Sequence, residues 1–147
     1  MLKGIPRVIS PQLLKVLDEM GHTDEITIGD ANFPGHTYGR QVIRIDGVGA
    51  VELLDAILQL FPLDTYVDTP VALMQKVPGD SVPTPIWKEF KTVLARHDPR
   101  GVSCVEMMDK WDFYERTRVN STAVVMTGET AQYANIILKK GVCREQG

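Results

Sequence analysis

Cysteine is scarce in this sequence, and the two cysteines match neither a disulfide framework nor a zinc site. Cys104 and Cys143 are the only ones among 147 residues, and no Cys-x-x-Cys pair or Cys/His cluster with zinc spacing occurs. Two reduced thiols, as in cytosolic proteins, explain this pattern better than a disulfide does. A chain of this length buries enough apolar surface to fold without disulfide bonds, and we expect one domain over residues 1–147.

Membrane and nucleic-acid signatures are also missing. No run approaches the ~18 consecutive apolar residues of a membrane span, and the first residues lack the apolar stretch of a signal peptide. The formal net charge is −3, and the basic residues form nothing longer than pairs such as Lys139-Lys140. A surface for nucleic acid or anionic membrane needs a basic stripe. We therefore expect a cytoplasmic protein that binds neither nucleic acid nor membrane.

The common nucleotide-binding and hydrolase motifs are absent as well. The sequence contains no G-x-G-x-x-G, no Walker A loop and no G-x-S-x-G elbow. Nucleotide cofactors and serine hydrolysis therefore lose their usual signatures.

Apolar residues, 44% of the chain, alternate between helical and strand spacing. Ser10 and Pro11 predict a helix start, and a left-handed Gly21 is expected to end that helix. Residues 31–39 are rich in glycine and proline and predict a loop. Further helices are predicted at residues 51–61, 85–97 and 109–118, and strands at residues 25–30, 42–45, 71–77, 102–108, 122–126 and 133–138. The alternation predicts an α/β fold, a three-layer α/β/α sandwich with a mostly parallel or mixed sheet.

Polar residues around the first predicted strand are candidates for acid–base chemistry. His22 follows the first helix, and an imidazole exchanges protons near neutral pH because its unperturbed pKa is about 6.5. Asp30 stands at the end of the strand, where a carboxylate can orient an imidazole, hold ligand hydroxyls or simply cap a turn. His36 lies in the following loop. The three residues match no standard metal-ligand spacing, and we expect no metal.

Polar and aromatic residues in the last third of the chain form a second group. Tyr133 and Asn135 occupy alternate positions of the last predicted strand, so we expect their side chains on one face. A phenol and an amide both donate and accept hydrogen bonds and suit a polyhydroxylated ligand, although core packing is the simpler interpretation. Lys110 opens a segment of aromatic and charged residues through Arg116. This segment indicates either a ligand site or an amphipathic helix docked by its aromatic side chains.

Taken in order along the chain, these segments resemble the family of L-fucose mutarotases and D-ribose pyranases. The similar segments cover nearly the whole chain and include Gly21-His22-Thr23-Asp24 and Tyr133-Ala134-Asn135. They lie at residues 2–6, 9–14, 19–26, 30–34, 42–47, 63–66, 84–88, 113–116, 127–129 and 133–141. Several blocks in this order are more specific than any one of them.

The resemblance implies an isomerase that interconverts the anomers of a free monosaccharide, L-fucose first, by acid–base catalysed ring opening and closing without a cofactor. His22 matches the family's catalytic histidine, and Asp30 matches a sugar-binding aspartate. Tyr133, Ala134 and Asn135 match a sugar-binding segment, with Tyr133 able to relay a proton. The resemblance also implies a ring-shaped homo-oligomer, typically a decamer, with sites near subunit boundaries.

Lys110 departs from both branches of that family. The fucose branch usually has an arginine there and the ribose branch a histidine, whereas an ammonium is a compact charge without arginine's planar fork. Phe33-Pro34 and residues 113–116 resemble the fucose branch, so L-fucose is the expected substrate and Lys110 is expected to bind it. The alternatives are a D-ribose pyranase that exchanges pyranose and furanose forms, a non-catalytic sugar-binding module, and a structural ring protein without a ligand.

Overall fold

The computed structural model of the protein describes residues 1–145, and helices and strands alternate along most of this range. The helices are α1 (Pro11–Glu19), α2 (Gly35–Tyr38), α3 (Ala50–Leu58), α4 (Ile86–His97) and α5 (Lys110–Asn120). The strands are β1 (Glu25–Gly29), β2 (Val42–Ile45), β3 (Val71–Met74), β4 (Val105–Met108), β5 (Ser121–Thr127) and β6 (Ile136–Lys139). None of the helices in the described range is both long and apolar enough to span a membrane.

The strands form one six-stranded sheet with the order β2-β5-β1-β6-β3-β4. β2, β5 and β1 run parallel to one another, and β3 runs parallel to β4. β6 is antiparallel to both β1 and β3, so it runs against the other strands of the sheet. We call the end of the sheet where β1 to β5 finish and β6 begins the carboxyl end, and the opposite end the amino end.

Helices cover both faces of this sheet. α1, α3 and α4 contribute to the larger apolar core on one face, whereas α2 and α5 lie over a smaller core on the other. The strands supply both cores by alternation: in β5, Ala123 and Val125 belong to the larger core, and Val124 and Met126 to the smaller one. The predicted three-layer α/β/α sandwich with a mixed sheet is confirmed.

The chain departs from the predicted local structure at several points. α1 ends at Met20, whose backbone is extended, and the left-handed residue is Thr23 with a φ of 77°, not Gly21. Gly21 does not need that conformation because the carboxylate of Asp24 holds its N–H. Part of the predicted loop forms α2. The predicted buried strand at residues 102–108 starts as a 3₁₀ turn, Gly101–Cys104, and its remainder is half-exposed because β4 is the outermost strand.

Candidate active site

A cleft of about 230 Å³ opens at the carboxyl end of the sheet, and Asp30, Lys110, Tyr133 and Asn135 line it. Asp30 follows β1, Lys110 opens α5 shortly after β4, and the other two precede β6. The sheet topology brings them together, because β1 and β4 end where β6 begins. The remaining lining residues are Asn32, Phe33, Met74, Tyr114 and Gln132.

Asp30 is a buried carboxylate held by neutral donors. Its backbone N–H donates to Asn135 Oδ1 over 2.8 Å, and its carboxylate accepts from the N–H groups of Asn32 at 3.0 Å and Ala134 at 3.4 Å. Burial raises the pKa of Asp30, and these hydrogen bonds offset part of the rise. A carboxylate has more acceptor sites than these donors fill, so lone pairs remain for ligand hydroxyls.

Tyr133 precedes β6 instead of lying in it, so the predicted strand alternation of Tyr133 and Asn135 is wrong. Its φ is 58°, a left-handed backbone that a bulky residue rarely adopts. Trp87 Nε1–H donates to its carbonyl over 2.8 Å, and its hydroxyl donates to Asp80 Oδ2 over 2.5 Å. The hydrogen bond to Asp80, together with burial, raises the pKa of Tyr133. These contacts hold the strained residue in the wall of the cleft, which Asn135 also lines.

Lys110 adds a cation to the cleft, next to aromatic rings. It opens α5, which Asp109 caps by accepting the N–H of Trp111 over 2.9 Å. Its ammonium forms no ion pair within residues 1–145 and lies 4.9 Å from the centre of the Trp111 ring. Tyr114 stacks on Tyr38 at 4.7 Å and meets Trp111 edge-on at 5.6 Å. The cleft therefore suits a ligand that has both hydroxyls and an apolar ring face.

His22 lies at the amino end of the sheet, away from the cleft. β1 separates it from Asp30, and the five residues of that strand alone span about 13 Å. The imidazole Nε2 lies 3.0 Å from Asp64 Oδ1, and its ring centre lies 5.1 Å from that of Tyr66. Within one chain, the expectation that Asp30 orients the imidazole is wrong, because Asp64 does so. One chain thus carries the predicted site in two separate parts.

Sequence reasoning missed two residues that hold the candidate site residues in place. Asp64 stands in the segment of residues 63–66, and the similarity of that segment to the family was the available signal. Asp80 follows Gly79 in a polar loop between β3 and α4, and no pattern marks it as the partner of Tyr133. The hydrogen bond from the Tyr133 hydroxyl, followed by one from the Val82 N–H, lowers the pKa of Asp80.

Neither the cleft of about 230 Å³ nor the His22–Asp64 pair includes His36, and no candidate site residue lines the two largest clefts. His36 Nε2 lies 3.2 Å from a guanidinium nitrogen of Arg44 and contributes to neither. Among residues 1–145, no group of three or more His, Cys, Asp or Glu side chains is placed to hold a metal ion. Two larger clefts, of about 660 and 580 Å³, contain none of the predicted site residues. Cavity size alone therefore does not mark the site.

Known proteins resemble this chain over nearly its whole length. A model of the RbsD / FucU transport protein family matches residues 3–143. The fucose mutarotase of Homo sapiens is 46% identical over 96% of this chain and 94% of that protein. A crystal structure of the fucose mutarotase from Streptococcus pneumoniae in complex with L-fucose is 48% identical, with a TM-score of 0.91 over 97% of this chain and 100% of that chain. The structure of FucU from Bifidobacterium longum is 51% identical, with a TM-score of 0.94 and the same coverage. The chain therefore belongs to the RbsD / FucU family.

Proposed function

We propose that this chain is an isomerase that interconverts the α and β anomers of free L-fucose without a cofactor. The observation that carries this proposal is the cleft in which buried Asp30 and Asn135, the strained Tyr133 and the cation of Lys110 surround a small space. Its volume of about 230 Å³ lies below the ~300–1,000 Å³ of pockets for drug-sized ligands and suits a single monosaccharide. Similarity to fucose mutarotases from a mammal and a bacterium supports the same substrate.

Mutarotation requires proton transfers at two oxygen atoms. The anomeric hydroxyl loses a proton while the ring oxygen gains one, the bond between the anomeric carbon and the ring oxygen breaks, and a carbonyl forms. The carbonyl rotates and the hydroxyl adds back to its other face. No electrons or groups leave the sugar, so positioned acid–base groups can provide the catalysis. Such groups contribute about 10²–10⁴-fold, and orientation of the substrate adds to that.

The candidate residues divide this work between holding the sugar and moving protons. Asp30, Asn135 and the backbone of Ala134 form hydrogen bonds with the sugar hydroxyls, and Asp30 acts as an acceptor. Lys110 binds hydroxyls or stabilises negative charge that develops on the anomeric oxygen. Tyr133 fixes the ring and relays a proton. His22 gives and takes the proton at the anomeric end, as its imidazole is suited to do near neutral pH.

A second copy of the chain completes the site in this proposal. His22 lies at the amino end of the sheet and the cleft at the carboxyl end, so the imidazole reaches a bound sugar across a subunit boundary. Contact between opposite ends of two copies is a heterologous interface, which forms a closed ring when the rotation closes. Tyr66 near His22 is 70% exposed and Trp111 near the cleft is 64% exposed, and aromatic residues are enriched in interfaces. A ring-shaped homo-oligomer, a decamer by resemblance to the family, fits this arrangement.

We infer that the protein acts in the cytoplasm. Cys104 and Cys143 are both free in the structure, as expected for a protein kept in reducing surroundings. In that compartment the substrate of the protein is a free intracellular monosaccharide.

NMR exchange spectroscopy tests the activity, because the two anomers of L-fucose give separate H1 signals. We expect the purified protein to increase the exchange rate between these signals in proportion to its concentration. If the protein increases the exchange rate of D-ribose more than that of L-fucose in the same assay, it belongs to the ribose branch instead. Saturable binding of L-fucose without any acceleration makes it a sugar-binding module instead.

Mixing two inactive variants tests whether two copies share a site. Copies with His22→Gln keep the cleft, and copies with Asp30→Ala keep the imidazole. When the two are unfolded and reassembled together, about a quarter of the sites in random mixed rings unite an intact His22 with an intact Asp30, and activity returns. Mixed rings verified by native mass spectrometry that stay inactive contradict the shared site.

A further inference from the structure

The carboxylate behind His22 supports an inference that rests on the proposed function and extends it. Asp64 Oδ1 lies 3.0 Å from His22 Nε2 and also accepts the N–H of Tyr66 over 3.0 Å. The side chain of Asp64 is 1% exposed, whereas that of His22 is 37% exposed. The imidazole is therefore held from its buried side, while part of the ring stays open.

No other cation forms an ion pair with this carboxylate in the described part of the chain. His22 is the ion-pair partner of Asp64 there, and Asp64 Oδ2 is buried without a hydrogen-bond partner among residues 1–145. Arg100 lies nearby, but its guanidinium donates to the backbone carbonyl of Asp64 and pairs with Asp98. A buried carboxylate with so few partners stabilises positive charge on the imidazole when that ring takes up a proton.

The charge state of Asp64 determines which nitrogen of His22 carries the hydrogen. Burial raises the pKa of Asp64, but hydrogen bonds from Tyr66 and His22 and the charges of His22 and Lys139 outweigh it, and the pKa lies below its ordinary value of 3.8. Asp64 is therefore ionised at neutral pH, and an ionised carboxylate only accepts hydrogen bonds. The hydrogen must lie on Nε2 of the imidazole.

Backbone contacts fix the aspartate and the histidine relative to each other. The N–H of Asp64 donates to the carbonyl of Lys139 over 3.0 Å, and the N–H of Thr23 donates to the carbonyl of Lys140 over 3.0 Å. Both partners are thus anchored to the end of β6. Thr23, next to the imidazole, is also left-handed with a φ of 77°, and strained backbone of this kind clusters at functional sites.

We propose that Asp64 is a positioning residue for His22, which holds the Nε2–H tautomer and leaves Nδ1 to take the proton of the anomeric hydroxyl. In that step the O–H bond of the sugar breaks and an Nδ1–H bond forms, so the imidazole becomes an imidazolium beside an ionised Asp64. The electron pair left on the anomeric oxygen forms the carbonyl as the bond to the ring oxygen breaks, and the ring oxygen takes the proton that Tyr133 relays. When the ring closes, the proton returns from Nδ1 to the anomeric oxygen. Carboxylates behind the imidazole of hydrolytic triads act on tautomer and charge in the same way.

Asp64→Asn separates this role from a purely structural one, since Asp64 also closes the turn at Tyr66. The amide oxygen can accept both hydrogen bonds but carries no charge. We expect kcat for L-fucose exchange to fall about 10²-fold, with KM changed less than about twofold. Asp55→Asn is the matched control, because Asp55 Oδ1 lies 2.7 Å from His97 Nε2 in a similar pair that lines no part of the cleft. That variant should keep the wild-type kcat.

NMR of ¹⁵N-labelled imidazoles gives a readout that does not depend on activity. At a pH high enough to keep imidazoles neutral, wild-type His22 should carry its hydrogen on Nε2, and Asp64→Asn should mix the two tautomers. A wild-type His22 with its hydrogen on Nδ1 overturns the proposal, and this measurement needs no variant to fold. An Asp64→Asn protein with wild-type kcat overturns it as well. A wild-type protein with the Nε2–H tautomer but no L-fucose exchange overturns the proposed function, while the hydrogen-bonded placement of the ring is upheld.

Discussion

The two ends of the sheet hold their polar residues by different physical means. At the amino end, a buried carboxylate faces an imidazole, and the pKa of Asp64 lies below its ordinary value. At the carboxyl end, neutral donors surround Asp30 and do not outweigh the effect of burial, so the pKa of that carboxyl lies above its ordinary value. Burial is the largest influence on both carboxyls, but at Asp64 hydrogen bonds and nearby charges outweigh it. A carboxylate beside an imidazole is suited to moving a proton, whereas a set of neutral hydrogen bonds is suited to holding hydroxyls. In the proposed mechanism, one chain therefore separates the two tasks, and neither end alone is a complete site.

His22→Gln should produce the largest effect, because it removes the proposed proton acceptor at the amino end. The glutamine amide can still donate to Asp64, so the buried carboxylate keeps a partner, but it cannot take a proton. We expect the accelerated exchange of L-fucose anomers to fall by about 10²–10⁴-fold, with the fold intact by circular dichroism.

His36→Gln is the matched control for that variant. His36 interacts with Arg44 on the exposed surface, does not line the cleft and forms no hydrogen bond with Asp64, so exchange should stay at the wild-type rate. Equal activity of His22→Gln and wild type contradicts any catalytic role for the amino end.

Lys110→Met should produce the next largest effect, and at the carboxyl end it should act on binding. Hydrogen bonds to charged groups contribute about 1.5–3 kcal/mol, so losing the ammonium should raise KM for L-fucose about 10-fold or more. A kcat that changes less than about twofold assigns Lys110 to binding the sugar hydroxyls, whereas a lower kcat assigns it to the negative charge that develops on the anomeric oxygen. Lys15→Met is the control, since it removes an exposed cation that pairs with Glu19 on α1. A Lys110→Met protein with unchanged KM shows that this cation does not bind the sugar.

The arrangement of helices and strands could be predicted because the sequence alternates clearly between two periodicities. β5 illustrates this: its run of β-branched and apolar residues supplies both cores by simple alternation. Asp109 was predictable as a cap because a carboxylate directly before a helix satisfies a free backbone N–H, here that of Trp111. Both local signals agree with the observed fold, and alternation of this kind along the chain predicts the three-layer sandwich.

The geometry of the candidate site depends on contacts that no local pattern records. His22 and Asp30 are close in the sequence, yet the extended strand between them places them at opposite ends of the sheet. The partner of His22 lies 42 positions away, in a connection without secondary structure. No glycine or asparagine marks position 133 as left-handed, and Tyr133 adopts that backbone because Trp87 and Asp80 hold it.

The pH dependence of stability should have opposite signs at the two ends. The folded-state pKa of Asp30 is raised, so its contribution to the free energy of unfolding falls as pH rises from 3.8 through the folded value. The folded-state pKa of Asp64 is lowered, so its contribution is present above 3.8 and is lost as pH falls through the folded value. With rising pH, the stability of wild type relative to Asp30→Asn should therefore decrease, and its stability relative to Asp64→Asn should increase.

Urea unfolding of the three proteins across the acidic range measures these differences. Each variant serves as the other's control, because both replace an aspartate by an uncharged residue of similar shape. Two difference curves with the same sign contradict the contrast in which burial prevails at Asp30 and hydrogen bonds and charges prevail at Asp64.

Thr23→Gly should produce the smallest effect, and it tests the feature that the two ends share. Thr23 and Tyr133 are the non-glycine residues with positive φ in residues 1–145, one at each end of the sheet. Tyr133 cannot be replaced without losing contacts of its ring, whereas Thr23 is exposed, so its replacement mainly changes the backbone. A left-handed backbone destabilises the folded state by about 1–2 kcal/mol at a residue with a side chain. Glycine avoids this strain but loses more conformational entropy on folding, which costs about 0.5–1 kcal/mol. Thr23→Gly should therefore unfold at equal or slightly higher urea concentration than wild type, and Thr23→Ala should be less stable than Thr23→Gly.

If the alanine variant is the more stable of the two, the turn that carries His22 stores no backbone strain. If the glycine variant gains stability and also loses some exchange activity, that strain serves to hold the imidazole in place.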